Sequence, residues 1–172
     1  MVDPQLYYAD SDVALCSARN VFVVIWRVNT TVAAVRRVDQ TCEQFAASHP
    51  DGIGHVTIVE QSAPMPPNDA RDRLAQYLRE STHIKASAVA FEGTGFRAAA
   101  VRSVVAGLAL LARQPFPHKI FPTLETASDW LVPELKLHVP SVDYTAAEFI
   151  REVQRVRLQV ETKSPSKSEA SA

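Results

Sequence analysis

Residues 85–113 read KASAVAFEGTGFRAAAVRSVVAGLALLAR and predict a strand, a tight turn and a helix in succession. Residues 86–91 form a short apolar run typical of a buried strand. A glycine-bracketed turn follows at Gly93-Thr94-Gly95. Residues 96–112 are apolar on nearly every helical face, which is typical of a helix covered on more than one side.

The same alternation of strand and helix extends along the chain. Strands are predicted at residues 12–18, 21–26, 55–60, 86–91 and 118–121. The lead-in of residues 1–11 is predicted to pair at a sheet edge through Leu6 and Tyr8. The turn at Arg19-Asn20 joins two antiparallel strands, with Asn20 as the residue that tolerates turn geometry. The pattern predicts an α/β fold with a mixed sheet of about five strands and alternating helices.

The predicted helices follow from apolar stripes and capping residues. The first helix carries one stripe and begins after a cap within Asn29-Thr30-Thr31. Its stripe is Val35, Val38, Cys42 and Phe45. The second helix is predicted to be capped by Asn68 or Asp69 and to face inward through Leu74, Tyr77 and Leu78. A later helix is predicted to begin at Thr123 and to stop at Pro133.

Three segments are predicted from a change in composition after Leu135. Residues 1–135 form the α/β domain, residues 136–162 an added amphipathic C-terminal helix capped by Asp143, and residues 163–172 a disordered tail. The apolar stripe of the added helix is predicted to extend the core of its own domain or to dock on another subunit. Its members include Phe149, Val153, Val156 and Val160.

Composition excludes several functional classes. The chain has 172 residues and a formal net charge of −1, which argues against a nucleic acid partner. The longest apolar run is interrupted by charges, so no membrane span is expected. No signal peptide is recognised, and Cys16 and Cys42 are predicted to be small buried hydrophobes. A cytoplasmic location is expected.

No residue pattern predicts catalysis. The five histidines show no paired metal spacing and are expected to be surface or loop residues. Neither a nucleophile elbow nor a cysteine motif directed to a histidine is present. We therefore expect no metal, no cofactor and no enzymatic activity.

The order of elements over about residues 6–132 resembles the STAS-like domains, the fold of the anti-sigma-factor antagonists. The resemblance rests on the strand Ser87-Ala88-Val89-Ala90-Phe91, the helix and short strand that follow it, and the ending Ala127-Ser128-Asp129-Trp130-Leu131. In the switch proteins of that family a phosphoacceptor lies in an Asp-Ser-Ser-Gly-like turn. The matching position here, Pro67-Asn68-Asp69-Ala70, offers no hydroxyl, so the resemblance implies a STAS-like scaffold without that switch.

Two candidate sites lie within residues 85–113. Backbone N–H groups at the glycine turn, with Arg97 and Arg102, could hold a phosphate-like anion, although the glycines could equally serve only the turn. Val101, Val105 and Leu108 could pack in the core, form a homodimer interface together with the stripe of the terminal helix, or line a pocket for an apolar ligand.

These observations predict a non-enzymatic protein-interaction or regulatory module of STAS-like type. Its partner would be another protein or, more simply, a second copy in a homodimer. The alternative is a small-ligand binder. That binder would take a lipid-like apolar molecule beside the helix of residues 96–112, or a nucleotide-like or phosphate-like anion at the glycine turn.

Overall fold

The computed structural model describes residues 4–93, 99, 103, 107 and 113–163. Within this part of the chain, six strands and four helices form an α/β fold with one mixed sheet, which confirms the predicted fold class. The strands are β1 (Gln5–Ala9), β2 (Val13–Ala18), β3 (Val21–Trp26), β4 (Ile53–Val59), β5 (Ile84–Phe91) and β6 (His118–Phe121). The helices are α1 (Val32–Ala46), α2 (Asn68–Glu80), α3 (Leu124–His138) and α4 (Ala146–Lys163).

Each strand of the sheet pairs with the strand before it, in the order β1-β2-β3-β4-β5-β6. Strand β2 runs antiparallel to both of its neighbours, β1 and β3, whereas β3 to β6 run parallel to one another. The predicted lead-in is strand β1, in which Leu6 lies opposite Cys16 and Tyr8 opposite Leu15. The sheet therefore gains an edge strand beyond the five strands predicted from apolar runs.

Helices cover both faces of the sheet, because alternate residues of each strand point to opposite sides. On the first face, Phe22, Val24 and Trp26 of β3 pack in one cluster with buried residues of α1 and α2. On the second face, Val23 and Ile25 pack in another cluster with α3 and α4. The predicted stripe of α1 is confirmed as buried on the first face.

The hairpin between β2 and β3 differs in detail from its prediction. Ala18 pairs with Val21, so the turn has two central residues, and the left-handed φ of 58° belongs to Arg19 rather than to Asn20. That conformation is uncommon for residues other than glycine. The Nε of Arg19 donates to Oε1 of Glu152 at 2.8 Å, which holds the turn against α4.

Pro133 does not end the third helix, contrary to the prediction. It lies inside α3, which continues to His138. A proline in a helix interior removes one hydrogen bond and crowds the preceding turn. The turn after it places Leu135 in the core at 0% exposure, and this apolar burial offsets the local cost. The backbone of Val139 then closes the helix by donating to Leu135 O at 2.8 Å.

Helix α4 packs on its own domain. Its stripe (Phe149, Val153, Val156 and Val160) is 0–3% exposed and belongs to the same cluster as the second face of the sheet. Polar contacts hold both ends of the segment. Near its start, Tyr144 donates its hydroxyl to Oδ1 of Asn20 at 2.6 Å. Near its end, Arg157 binds both carboxylate oxygens of Glu92, at 2.5 and 2.8 Å.

The caps of two helices differ from their predictions. Helix α2 begins at Asn68 with Pro67 as N-cap and no side-chain cap bond, whereas Asn68 or Asp69 was predicted as the cap. Helix α4 is capped by Thr145 rather than Asp143. Glu148 N donates to the hydroxyl of Thr145 at 3.3 Å, and Thr145 N donates to the Glu148 carboxylate at 2.8 Å. This reciprocal pair is a capping box.

We predict that Thr145→Ala lowers the free energy of unfolding by about 1 kcal/mol, because it removes the side-chain acceptor at the start of α4. Urea denaturation followed by circular dichroism measures the change. Asp143→Ala is the matched control, and we expect it to be close to neutral. The reverse ranking of the two variants would show that Asp143 is the cap after all.

Candidate ligand cavity

A row of polar side chains crosses the parallel part of the sheet. His55 on β4 lies opposite Ser87 on β5, and Ser87 lies opposite His118 on β6. All three share the first face, because His55 and His118 line the same cavity as Val24 and Val89 of that face. Neighbouring residues on the same strands are almost all apolar, so this row stands out within the core.

Ser87 joins the two histidines through hydrogen bonds. Its Oγ lies 3.2 Å from Nδ1 of His55 and 3.1 Å from Nδ1 of His118. Ser87 is fully buried, His55 is 2% exposed, and His118 is half-buried. We refer to these three residues as the His-Ser-His row.

Both imidazoles of the row are held in the neutral form. Burial lowers the pKa of His55 to about 3, with a smaller contribution from the neighbouring histidines. Burial also lowers the pKa of His118 to about 4. The physical cause is that a charged imidazolium loses its hydration in an apolar surrounding. At neutral pH the row therefore carries hydrogen-bonding groups and no charge.

A cavity of about 80 Å³ lies beside this row, between the sheet and the helices of the first face. Among the described residues, its floor is formed by strands β3 to β6 and its walls by α1, α2 and the proline-rich loop between β4 and α2 (residues 60–67). Among the described residues it is lined by Val24, Trp26, Thr30, Val38, His55, Thr57, Val59, Ala63, Pro64, Pro66, Leu74, Tyr77, Leu78, Val89 and His118. Most of this lining is apolar, as in small-molecule sites.

Thr57 lies at the floor of the cavity and is only partly buried. It lies in the middle of β4, and it is the one residue of that strand that is not buried. Its hydroxyl makes no hydrogen bond to any other described residue. Leu74 and Leu78 of α2 are only partly buried and flank the same space. The central strand of the sheet is thus accessible at a position that is normally sealed.

Two ring nitrogens of the row lack a partner within the described part of the chain. Nε2 of His55 is enclosed and has no hydrogen bond. Nε2 of His118 makes no hydrogen bond to a described residue either, although its ring lines the cavity. Buried polar atoms are nearly always paired, so the enclosed Nε2 of His55 is an exception, whereas Nε2 of the half-buried His118 is left available to a molecule in the cavity.

The anion site predicted at the glycine turn is described only at Gly93. Its N–H donates to Phe91 O at 3.0 Å and is therefore already engaged within the chain. Thr94, Gly95, Arg97 and Arg102 lie outside the described residues, as do Val101, Val105 and Leu108 of the predicted interface. The predicted tail also lies outside them, apart from Lys163 at the end of α4.

Self-association stays a prediction. The four residues of α4 assigned to an interface (Phe149, Val153, Val156 and Val160) are enclosed by their own chain. Leu137 and Leu158, on α3 and α4, are 76% and 63% exposed, and nothing in the structure shows what covers them.

Both cysteines lie in the core. Cys16 and Cys42 are buried free thiols on opposite faces of the sheet, as their apolar surroundings predicted. Burial raises the pKa of each thiol to about 12.

In the described part of the chain, no three side chains of the metal-binding types converge. None of the helices described has the length and apolar character needed to cross a bilayer.

The cavity was not predicted from the sequence, and Gly93 is not among the described residues that line it. His55 was expected at the surface or in a loop, yet it is buried in β4 with Ser87 as its partner. One signal was present in the sequence. His55 and Ser87 interrupt two strands that are otherwise strongly apolar, and polar residues at such positions require partners.

Comparison with family models, with curated proteins and with solved structures gives no significant match. The resemblance to STAS-like domains therefore stays a prediction, and the function is argued from the cavity itself.

We predict that the protein loses stability between pH 6.5 and pH 5. In this interval the unfolded chain takes up protons at His55 and His118 that the folded protein does not bind. Stability therefore rises with pH and falls on acidification, by about 1.6 kcal/mol for each of these two histidines over these 1.5 pH units. Urea unfolding at both pH values measures the loss.

His55→Phe should remove about half of this pH dependence, because the titrating group is gone. His138→Gln is the control, since it changes a histidine whose side chain is 43% exposed on α3. An unchanged slope in His55→Phe would contradict the assignment.

Proposed function

We propose that this chain is a non-enzymatic binding module that takes up a small, uncharged and mainly apolar molecule in the cavity beside the His-Ser-His row. The observation that carries the proposal is the apolar cavity itself, which reaches Thr57 in the central strand. It develops the small-ligand alternative predicted from the sequence but places the ligand between the sheet and α2.

The poor hydration of this space supports a ligand. Its volume is about 80 Å³ and its lining is mostly apolar, so water there makes few hydrogen bonds and is readily displaced by an apolar group. Protein interiors contain few voids larger than a water molecule. The volume is about half that of the ~150 Å³ cavity known to take up benzene, so the occupant is a compact group or the end of a longer molecule.

The chemistry of the row favours binding over catalysis. A serine beside a histidine can act as a nucleophile only where a substrate reaches its oxygen. Ser87 is 0% exposed, and its Oγ is engaged by two imidazoles at once. Among the described residues, no carboxylate hydrogen-bonds to His55 or His118 to orient it as a base. These features suit a neutral hydrogen-bonding lining.

We place this binding role in the cytoplasm. The support is that Cys16 and Cys42 are free thiols in separate clusters of the core, as is usual for proteins of reducing compartments.

We predict that methylenecyclopentane, a compact apolar ring, binds in the cavity. Titration into protein labelled at valine and leucine methyl groups should shift the NMR signals of Val24, Val59 and Val89, which line it. The signals of Val23 and Val56, on the opposite face, should stay in place. Shifts spread evenly over both faces, or none at all, would refute the proposed function.

Two leucine substitutions provide matched controls for this titration. Ala63 is buried in the cavity wall, so Ala63→Leu should fill the space and weaken binding at least tenfold. Ala33 is an exposed residue of α1 outside the lining, so Ala33→Leu adds the same side chain without occupying the cavity. Equal binding by both variants would place the probe elsewhere on the protein.

A further inference from the structure

The His-Ser-His row has a fixed number of protons to distribute. Ser87 has one hydroxyl proton, so its Oγ can donate to only one of the two Nδ1 atoms and must accept from the other. A neutral imidazole carries its proton on one nitrogen alone. The two histidines must therefore be opposite tautomers. Their shared serine makes the state of one ring determine the state of the other.

The burial of His55 determines which of the two tautomer arrangements is more stable. Nε2 of His55 has no hydrogen-bond partner among the described residues and is closed off from solvent. Buried N–H groups without an acceptor are rarer in proteins than acceptors that lack a donor. His55 is therefore better placed with a bare Nε2 and a proton on Nδ1, which it donates to Ser87. Ser87 then donates its own proton to Nδ1 of His118.

This order leaves the proton of His118 on Nε2. The ring of His118 lines the cavity, and Nε2 makes no hydrogen bond to a described residue. We propose that His118 selects the ligand by donating this N–H to an acceptor oxygen, while Ser87 and His55 act as positioning residues that fix it as a donor. The inference rests on the proposed binding function and names the ligand class.

The ligand that fits is a compact apolar group carrying a carbonyl or ether oxygen. The apolar part fills the space between Val24, Val89 and Leu74, and the oxygen accepts from His118. The row is uncharged at neutral pH, because burial lowers the pKa of both histidines. The row therefore has no cation to pair with a carboxylate ligand and no carboxylate to pair with an amine ligand. Neutral ketones, esters, amides and ethers remain.

The tautomers can be measured directly on the full-length wild-type protein. Long-range ¹H–¹⁵N correlation spectra at pH 7 distinguish a protonated ring nitrogen from a bare one. We expect a proton on Nδ1 of His55 and on Nε2 of His118. Ser87→Ala should release this restraint and let His118 populate both tautomers. The opposite tautomers in the wild type, or an unchanged His118 in Ser87→Ala, would overturn the proposal.

Binding provides the second test, with cyclopentanone and methylenecyclopentane as probes of nearly equal shape. Only cyclopentanone carries an acceptor oxygen. His118→Phe should weaken cyclopentanone about fivefold more than it weakens methylenecyclopentane, the effect of one neutral hydrogen bond. Comparing each probe with itself across the two proteins cancels the difference in hydration between the probes.

The outcomes separate this inference from the function on which it rests. If methylenecyclopentane fails to bind the wild type, the cavity is not a binding site and both proposals fall. If both probes bind the wild type but lose affinity equally in His118→Phe, the cavity binds ligands and the selection by His118 is refuted. A greater loss for cyclopentanone than for methylenecyclopentane, with the expected tautomers, supports both.

Discussion

The structure depends on burying a central sheet on both faces, although the crossovers through α1 and α2 cover only one of them. Strands β3, β4 and β5 follow one another in sequence order and run parallel, so these two connections cross over the sheet in the same direction. Crossovers between parallel strands are right-handed, which places connections of this kind on a common face. The opposite face must be covered by a separate part of the chain, and α3 and α4 provide that cover.

The fit of this second layer explains the small residues on the central strands. Ala86, Ala88 and Ala90 on β5 all point toward it. Gly54 lies beside them on β4, and a methyl group there would approach Cδ2 of Leu135 to 2.9 Å. The layer therefore sits close against the sheet at these positions. On the first face, the described residues leave the space of about 80 Å³ beside His55.

How far the sequence predicts the protein depends on whether each feature is local. Strand β3 and the stripe of α1 were predictable because β-branched runs and helical periodicity are local signals. Pro133 was misread because the cost of a proline is local, whereas the compensating burial of Leu135 is tertiary. The cap at Thr145 could have been read from its spacing to Glu148, a known local pattern.

The cavity could not be predicted, because it is a property of packing between elements that are distant in sequence. Thr57, Ala63 and Leu74 surround one space only after β4, the proline loop and α2 take their places. The His-Ser-His row is predictable only in part from the sequence. His55 and Ser87 could be recognised as unusual residues within strands, but their pairing depends on the register between β4 and β5. That register is fixed by the sheet as a whole.

The order of the strands also bears on how the chain folds during synthesis. Each strand can join the sheet as it leaves the ribosome, because its only earlier neighbour has already emerged. The second face nevertheless stays uncovered until residues 124–163 have been made, which takes a few seconds at roughly 5–20 residues per second. During that interval the apolar side of β3 and β4 is exposed on a nascent chain. The ribosome-bound stage, rather than the finished fold, is when this protein most needs chaperone protection.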